Sequence, residues 1–116
     1  MIGYGRQFID KNDIKSVISV LKGDYLTQGP SVKKFEKQIN HLFGSKHSLA
    51  VSNGTSALYL AGQAIGWNKK SHIVTSPLTF VAGANAAELL GATIKFIDID
   101  PVTYCIDTIA LENYLK

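Results

Sequence analysis

The sequence is short of the residues that staple or metallate small proteins. Its one cysteine, Cys105, excludes an internal disulfide and suits a reducing compartment. Its three histidines, His41, His47 and His72, stand at no metal-ligand spacing and have no cysteine partners, so no metal is expected. No apolar run approaches the roughly 20 residues that cross a bilayer. The N-terminus has no apolar signal-peptide core, and the expectation is a soluble, cytoplasmic chain without a membrane partner. There is no P-loop and no G-x-S-x-G elbow. Gly3-Tyr4-Gly5 is not a dinucleotide fingerprint, because no strand precedes it and Phe8 holds the third glycine position. Charge of one sign is also scarce. Twelve Lys plus Arg against nine Asp plus Glu leave a net +3, which makes no case for a nucleic-acid partner. Fixed-period repeats and low-complexity tracts are absent as well.

What remains is the composition of an ordinary folded domain. The chain has 116 residues, 46% hydrophobic and 18% charged. A chain of this length buries roughly two thirds of its unfolded surface when it closes a core. After an irregular lead-in, Asp10 is a good N-cap, and Ile14, Val17, Ile18 and Leu21 recur at helical spacing before Gly23. Residues 24–30 read as a loop ending in Gly-Pro. A second amphipathic helix is predicted over 31–43, with Val32, Phe35, Ile39 and Leu42 turned inward and Gly44 closing it.

From residue 47 the pattern changes to alternating strands and helices. Strands are predicted at 47–52, 72–76 and 93–99, and helices at 55–65, 80–90 and from Thr108. Short β-branched strands alternating with helices argue for an α/β fold with a mostly parallel sheet flanked by helices. We therefore divide the chain into an arm with two helices, 1–46, and an α/β part, 47–116. Parallel sheets place ligand sites outside the carboxyl ends of their strands. Three segments answer that description: 52–56, 76–80 and 98–101.

The first segment, Val51-Ser52-Asn53-Gly54-Thr55-Ser56-Ala57, is a small polar turn that opens a helix. The free amides and macrodipole of such a terminus favour an anion, and Gly54 permits close backbone approach. An ordinary N-cap uses the same residue types, and on this stretch alone that reading stands ahead. In the second segment Phe80 follows a strand end, where a ring can stack on a flat ligand or serve as core. In the third, Asp98 and Asp100 either orient a ligand or cap a turn. Read from the residues alone, the chain offers an α/β site able to hold a phosphate and a flat ring.

The ordered motifs GxQxID, DYLTQGPSVKKFE, VSNGTSALYLA, TSPLTFVAGANA and GATIKFIDIDPVTYCID resemble the N-terminal part of the DegT/DnrJ/EryC1/StrS family of pyridoxal-phosphate sugar aminotransferases. Gly83 stands where that family often carries Thr or Ser. The resemblance implies the N-terminal part of the large domain of a fold-type-I enzyme, with pyridoxal 5'-phosphate as cofactor. It implies that Gly54, Thr55 and Ser56 hold the cofactor phosphate and that Phe80 stacks on the pyridine ring. Tyr4, Asp24, Tyr25, Leu26 and Thr27 would line the nucleotide-sugar site, at a homodimer interface. The implied reaction moves an amino group from glutamate to a UDP-linked 4-keto-6-deoxy-N-acetylhexosamine, as in pseudaminic acid pathways.

The same resemblance implies that the Schiff-base lysine lies beyond residue 116, so the chain alone is expected to be catalytically incomplete. It also implies that the first strand does not sit beside the second and third, which leaves sheet edges exposed and the core open. The alternative reading is a non-catalytic module that binds a nucleotide-sugar or a phosphate.

Overall fold

The computed structural model describes residues 5–116, which divide into two compact units on either side of the Ala50–Val51 peptide. Tyr4 lies outside the described residues.

The first unit carries two helices, α1 (Lys11–Leu21) and α2 (Pro30–Phe43). Asp10 starts α1 through a capping box. Its carboxylate accepts from the amides of Asn12 at 2.6 Å and Asp13 at 3.0 Å, while Asp13 accepts from the Asp10 amide at 2.9 Å. Such a cap is worth about 1 kcal/mol. Pro30 opens α2 with its φ already set for a helix. Gly44 closes it in the left-handed region at φ 64, where its amide bonds the Asn40 carbonyl. The apolar faces of both helices form as predicted, but nothing in this unit covers them. Val17, Leu21, Phe35 and Leu42 are all exposed.

The second unit holds α3 (Gly54–Ala64), β1 (His72–Thr75), α4 (Ala82–Leu89), β2 (Thr93–Phe96) and α5 (Thr108–Leu115). β1 and β2 pair in parallel, His72 opposite Thr93 through Thr75 opposite Phe96. A parallel pair needs a crossover, and α4 supplies it, packing on both strands while α3 packs on α4. The core lies under α4 and is made of small residues: Ala82, Ala84, Ala86, Ala87 and Ala92, with Ile97. The buried alanines of α4 lie on more than one side of the helix, as fits a helix packed against α3 as well as the two strands. Gly62, the buried residue of α3, leaves room for Trp67 and Leu90.

Two sequence expectations change here. The stretch 47–52 is not a strand. A ladder needs a partner, and among the described residues this segment has none. The Ala50 amide instead donates to the Glu36 carboxylate at 3.0 Å. β2 also stops at Phe96 rather than running to 99. The Ile97 amide makes the last bond to the Thr75 carbonyl, after which Ile99 bridges Ile106 in antiparallel sense and the Asp107 amide bonds the Asp98 carbonyl. Residues 98–107 therefore fold back as a hairpin, and Asp107 caps α5 through the amides of Ile109 and Ala110.

The open core anticipated above is visible in the surface area. The chain exposes 10148 Å². A compact monomer of its mass exposes roughly 6,200 Å², and two separate compact halves expose roughly 7,500 Å² together. No large side chain is fully buried among the described residues.

Candidate functional site

The first turn of α3 is built as the sequence suggests. Asn53 is extended at φ −165 and ψ 168, and its side chain accepts from the Ser56 amide at 2.9 Å. The Asn53 carbonyl takes the Ala57 amide at 3.2 Å. The cap reading is therefore correct for Asn53, yet it satisfies only one of the turn's free donors. The amides of Gly54 and Thr55 have no partner among the described residues. Both residues are exposed, and a Cβ on Gly54 would meet nothing within 4 Å. The cap therefore leaves the adjacent amides of Gly54 and Thr55 free. The Ser56 amide is already spent on Asn53, so Ser56 has only its hydroxyl to offer an anion.

Phe80 stands two residues before α4, the helix on which α3 packs. Phe80 is 78% exposed, so nothing in the described residues covers it. The segment leading to it is shaped by a Ser76 hydroxyl that accepts from the Leu78 amide at 3.2 Å. Ser76, Pro77, Thr79, Val81, Ala84 and Phe96 line a hollow of about 210 Å³. Because Thr75 ends β1 and Phe96 ends β2, this hollow lies at the carboxyl ends of the parallel strands, where α/β sheets bind ligands. Sequence reasoning singled out segment 76–80, which holds Ser76 and Thr79, but missed Phe96 as a wall residue, and Phe80 itself does not line the hollow. No periodicity distinguishes a strand-end side chain facing a hollow from one facing solvent. Gly83 meets nothing within 4 Å of where its Cβ would stand, so the Thr or Ser common in the family would fit there.

The third segment serves the turn. The Asp98 carboxylate accepts from the Ile99 amide at 2.8 Å. Asp100 accepts from Val102 at 2.9 Å and Thr103 at 2.7 Å. The Thr103 and Val102 amides hold the Asp100 carboxyl below its usual 3.8. These carboxylates are capping groups, as one of the two sequence readings held.

The other predicted residues belong to the first unit. Asp24 and Tyr25 line a hollow of about 300 Å³ with Ser19, Val20, Gly23, Pro30 and Ser31, whereas Leu26 and Thr27 do not contribute to it. Among the described residues no group of His, Cys, Asp or Glu is placed to hold a metal ion, and no helix is long and apolar enough to cross a membrane.

Comparison with known proteins gives this geometry a context. Residues 7–116 match the model of the DegT/DnrJ/EryC1/StrS aminotransferase family. The chain is 41% identical over 109 residues to the spore coat polysaccharide biosynthesis protein SpsC of Bacillus subtilis, covering 94% of this chain and 28% of that protein. It is 44% identical over 99 residues to the UDP-4-amino-4,6-dideoxy-N-acetyl-beta-L-altrosamine transaminase of Campylobacter jejuni, covering 85% of this chain and 26% of that one. Among solved structures, Helicobacter pylori PseC, an aminotransferase involved in the biosynthesis of pseudoaminic acid, superimposes with a TM-score of 0.85. The identity is 34%, over 98% of this chain and 31% of that one. The chain thus spans between a quarter and a third of the length of these relatives. Nearly every residue falls within the family match, and the chain belongs to the DegT/DnrJ/EryC1/StrS aminotransferase family.

Proposed function

We propose that the chain is the N-terminal portion of a pyridoxal-phosphate-dependent nucleotide-sugar aminotransferase. In this reading the amino group passes from glutamate to a UDP-linked 4-keto-6-deoxy-N-acetylhexosamine, in a cytoplasmic homodimer. The observation that carries the proposal is the pair of free amides on Gly54 and Thr55, at a helix N-terminus open to an anion, in a chain of this family. The family's aminotransferases use pyridoxal phosphate.

The residues present suit that group. Gly54 and Thr55 offer amides to a phosphate, the Thr55 and Ser56 hydroxyls add donors, and the open space over Gly54 admits an oxygen. Phe80 offers an uncovered ring face to a flat heterocycle. Bound there, the cofactor would supply the electron sink that amine transfer needs. Asp24, Tyr25, Leu26 and Thr27 would receive the nucleotide-sugar, and the family resemblance assigns Tyr4 to the same task. This chain's own part is to bind and orient, because the lysine that carries the cofactor is expected downstream of Lys116.

Gly54→Pro in the full-length protein tests the proposal. Proline is welcome at the first position of a helix, and the extended Asn53 before it is compatible with the ring. The substitution deletes one donor amide and leaves α3 in place. A charge-assisted hydrogen bond is worth about 1.5–3 kcal/mol, so cofactor affinity should fall about 10- to 150-fold, read from the visible absorbance of the bound cofactor. A parent protein that takes up no pyridoxal phosphate, or a Gly54→Pro variant that binds it equally well, defeats the assignment.

A further inference from the structure

The loop that joins α1 to α2 has a shape that its hydrogen bonds do not explain. Among the described residues, no backbone or side-chain hydrogen bond engages residues 24–28. Three features shape it instead. Gln28 sits in the left-handed region at φ 50, a conformation that side chains with a Cβ rarely adopt. Pro30 fixes the backbone where α2 begins. Between them, Gly29 is buried, alone among the described residues before Val51. A Cβ on Gly29 would stand 2.8 Å from the Tyr25 Cβ and 3.3 Å from the Tyr25 carbonyl oxygen. Neither atom is the end of a flexible side chain, so no rotamer change at Tyr25 relieves the clash. The backbone that carries Tyr25 would have to move.

That displacement would fall on an exposed surface. Tyr25 is 64% and Leu26 66% exposed, and Asp24 and Tyr25 wall the hollow of about 300 Å³. We infer that Gly29 is a positioning residue: by lying under Tyr25 where no side chain fits, it sets the height of the Asp24, Tyr25, Leu26 and Thr27 loop against the nucleotide-sugar. The left-handed turn at Gln28 completes the device. The inference rests on the proposal that this loop receives the sugar nucleotide. It assigns the specificity surface a support that touches no substrate.

The test uses the full-length protein with Gly29→Ala, Gln28→Val, Gln28→Gly and Gly44→Ala. Valine resists the left-handed region, glycine accepts it freely, and Gly44→Ala strains the end of α2 without touching the loop. Gly29→Ala and Gln28→Val should each raise KM for the UDP-linked keto sugar at least tenfold. KM for glutamate and the cofactor absorbance should stay within twofold of the parent. Gln28→Gly should keep the sugar KM, and Gly44→Ala should lower Tm while leaving that KM in place. If Gly29→Ala fails to fold, Gln28→Val decides. Sugar KM values within twofold of the parent in the folded variants overturn the inference. A parent protein that aminates no UDP-sugar overturns the underlying assignment, whatever Gly29 does.

Discussion

Gly62→Ala is a sharp test of how closely the second unit is packed, because two known effects oppose each other at this position. Gly62 lies inside α3, where alanine in place of glycine ordinarily stabilises a helix by about 1 kcal/mol. Here a Cβ would stand 2.9 Å from the Leu90 Cδ1 and 2.9 Å from the Trp67 Cδ2, with another indole carbon nearer still. Leu90 can turn its methyl away. The indole is rigid, and its backbone is tied down by a 2.9 Å bond from the Trp67 amide to the Gly62 carbonyl, so ring and helix must part together. Overpacking of this kind costs about 1–3 kcal/mol. After subtracting the helix gain, Gly62→Ala should destabilise the full-length protein by up to about 2 kcal/mol in urea unfolding. Trp67→Ala removes the obstacle, so the same substitution in that background should instead stabilise by up to about 1 kcal/mol. The coupling between the two sites should therefore reach about 2 kcal/mol. A Gly62→Ala variant more stable than its parent, or two substitutions that simply add, would refute the packing argument.

Three further outcomes follow from particular residues. Asp100 has its carboxyl held below 3.8 by two amides, so its contribution is present above pH 3.8 and is lost as pH falls through the lowered value. Exchange protection of the Val102 and Thr103 amides should be flat from pH 7 to 4 and collapse below that, and Asp100→Asn should abolish the dependence. A parent hairpin insensitive to acid would contradict this. Tyr104 sits at φ 57 within that hairpin. Asparagine tolerates the left-handed region better, so Tyr104→Asn should raise stability by about 0.5–1 kcal/mol, read as a higher Tm; an unchanged or lower Tm argues against strain there. The isolated 116-residue chain should self-associate and bind a hydrophobic dye, given an accessible surface of 10148 Å². A sharp, concentration-independent melt of a monomer would count against that expectation.

How much of this was legible beforehand depends on the range over which each signal acts. Asp10 needs only the amides of Asn12 and Asp13, and Gly44 needs only the carbonyl of the turn it closes, so these helix ends could be read directly. The turn at Asn53 was legible for the same reason. Of the two readings left open there, the cap is formed by Asn53 on the Ser56 amide, and the amides of Gly54 and Thr55 stay free. What could not be read is what depends on a distant partner. Residues 47–52 have a strand's composition, but composition does not supply the neighbour that would make a ladder, and Glu36 took the Ala50 amide instead. Gln28 and Tyr104 occupy left-handed positions that a reader assigns to glycine or asparagine. At Gln28 the neighbouring Gly29 draws the eye, yet its role is to leave space beneath Tyr25 rather than to supply an unusual φ. The same reasoning bears on the apolar faces of α1 and α2. Their periodicity forecasts burial, and Val17, Leu21, Phe35 and Leu42 are exposed because periodicity identifies a face that needs covering without naming its cover.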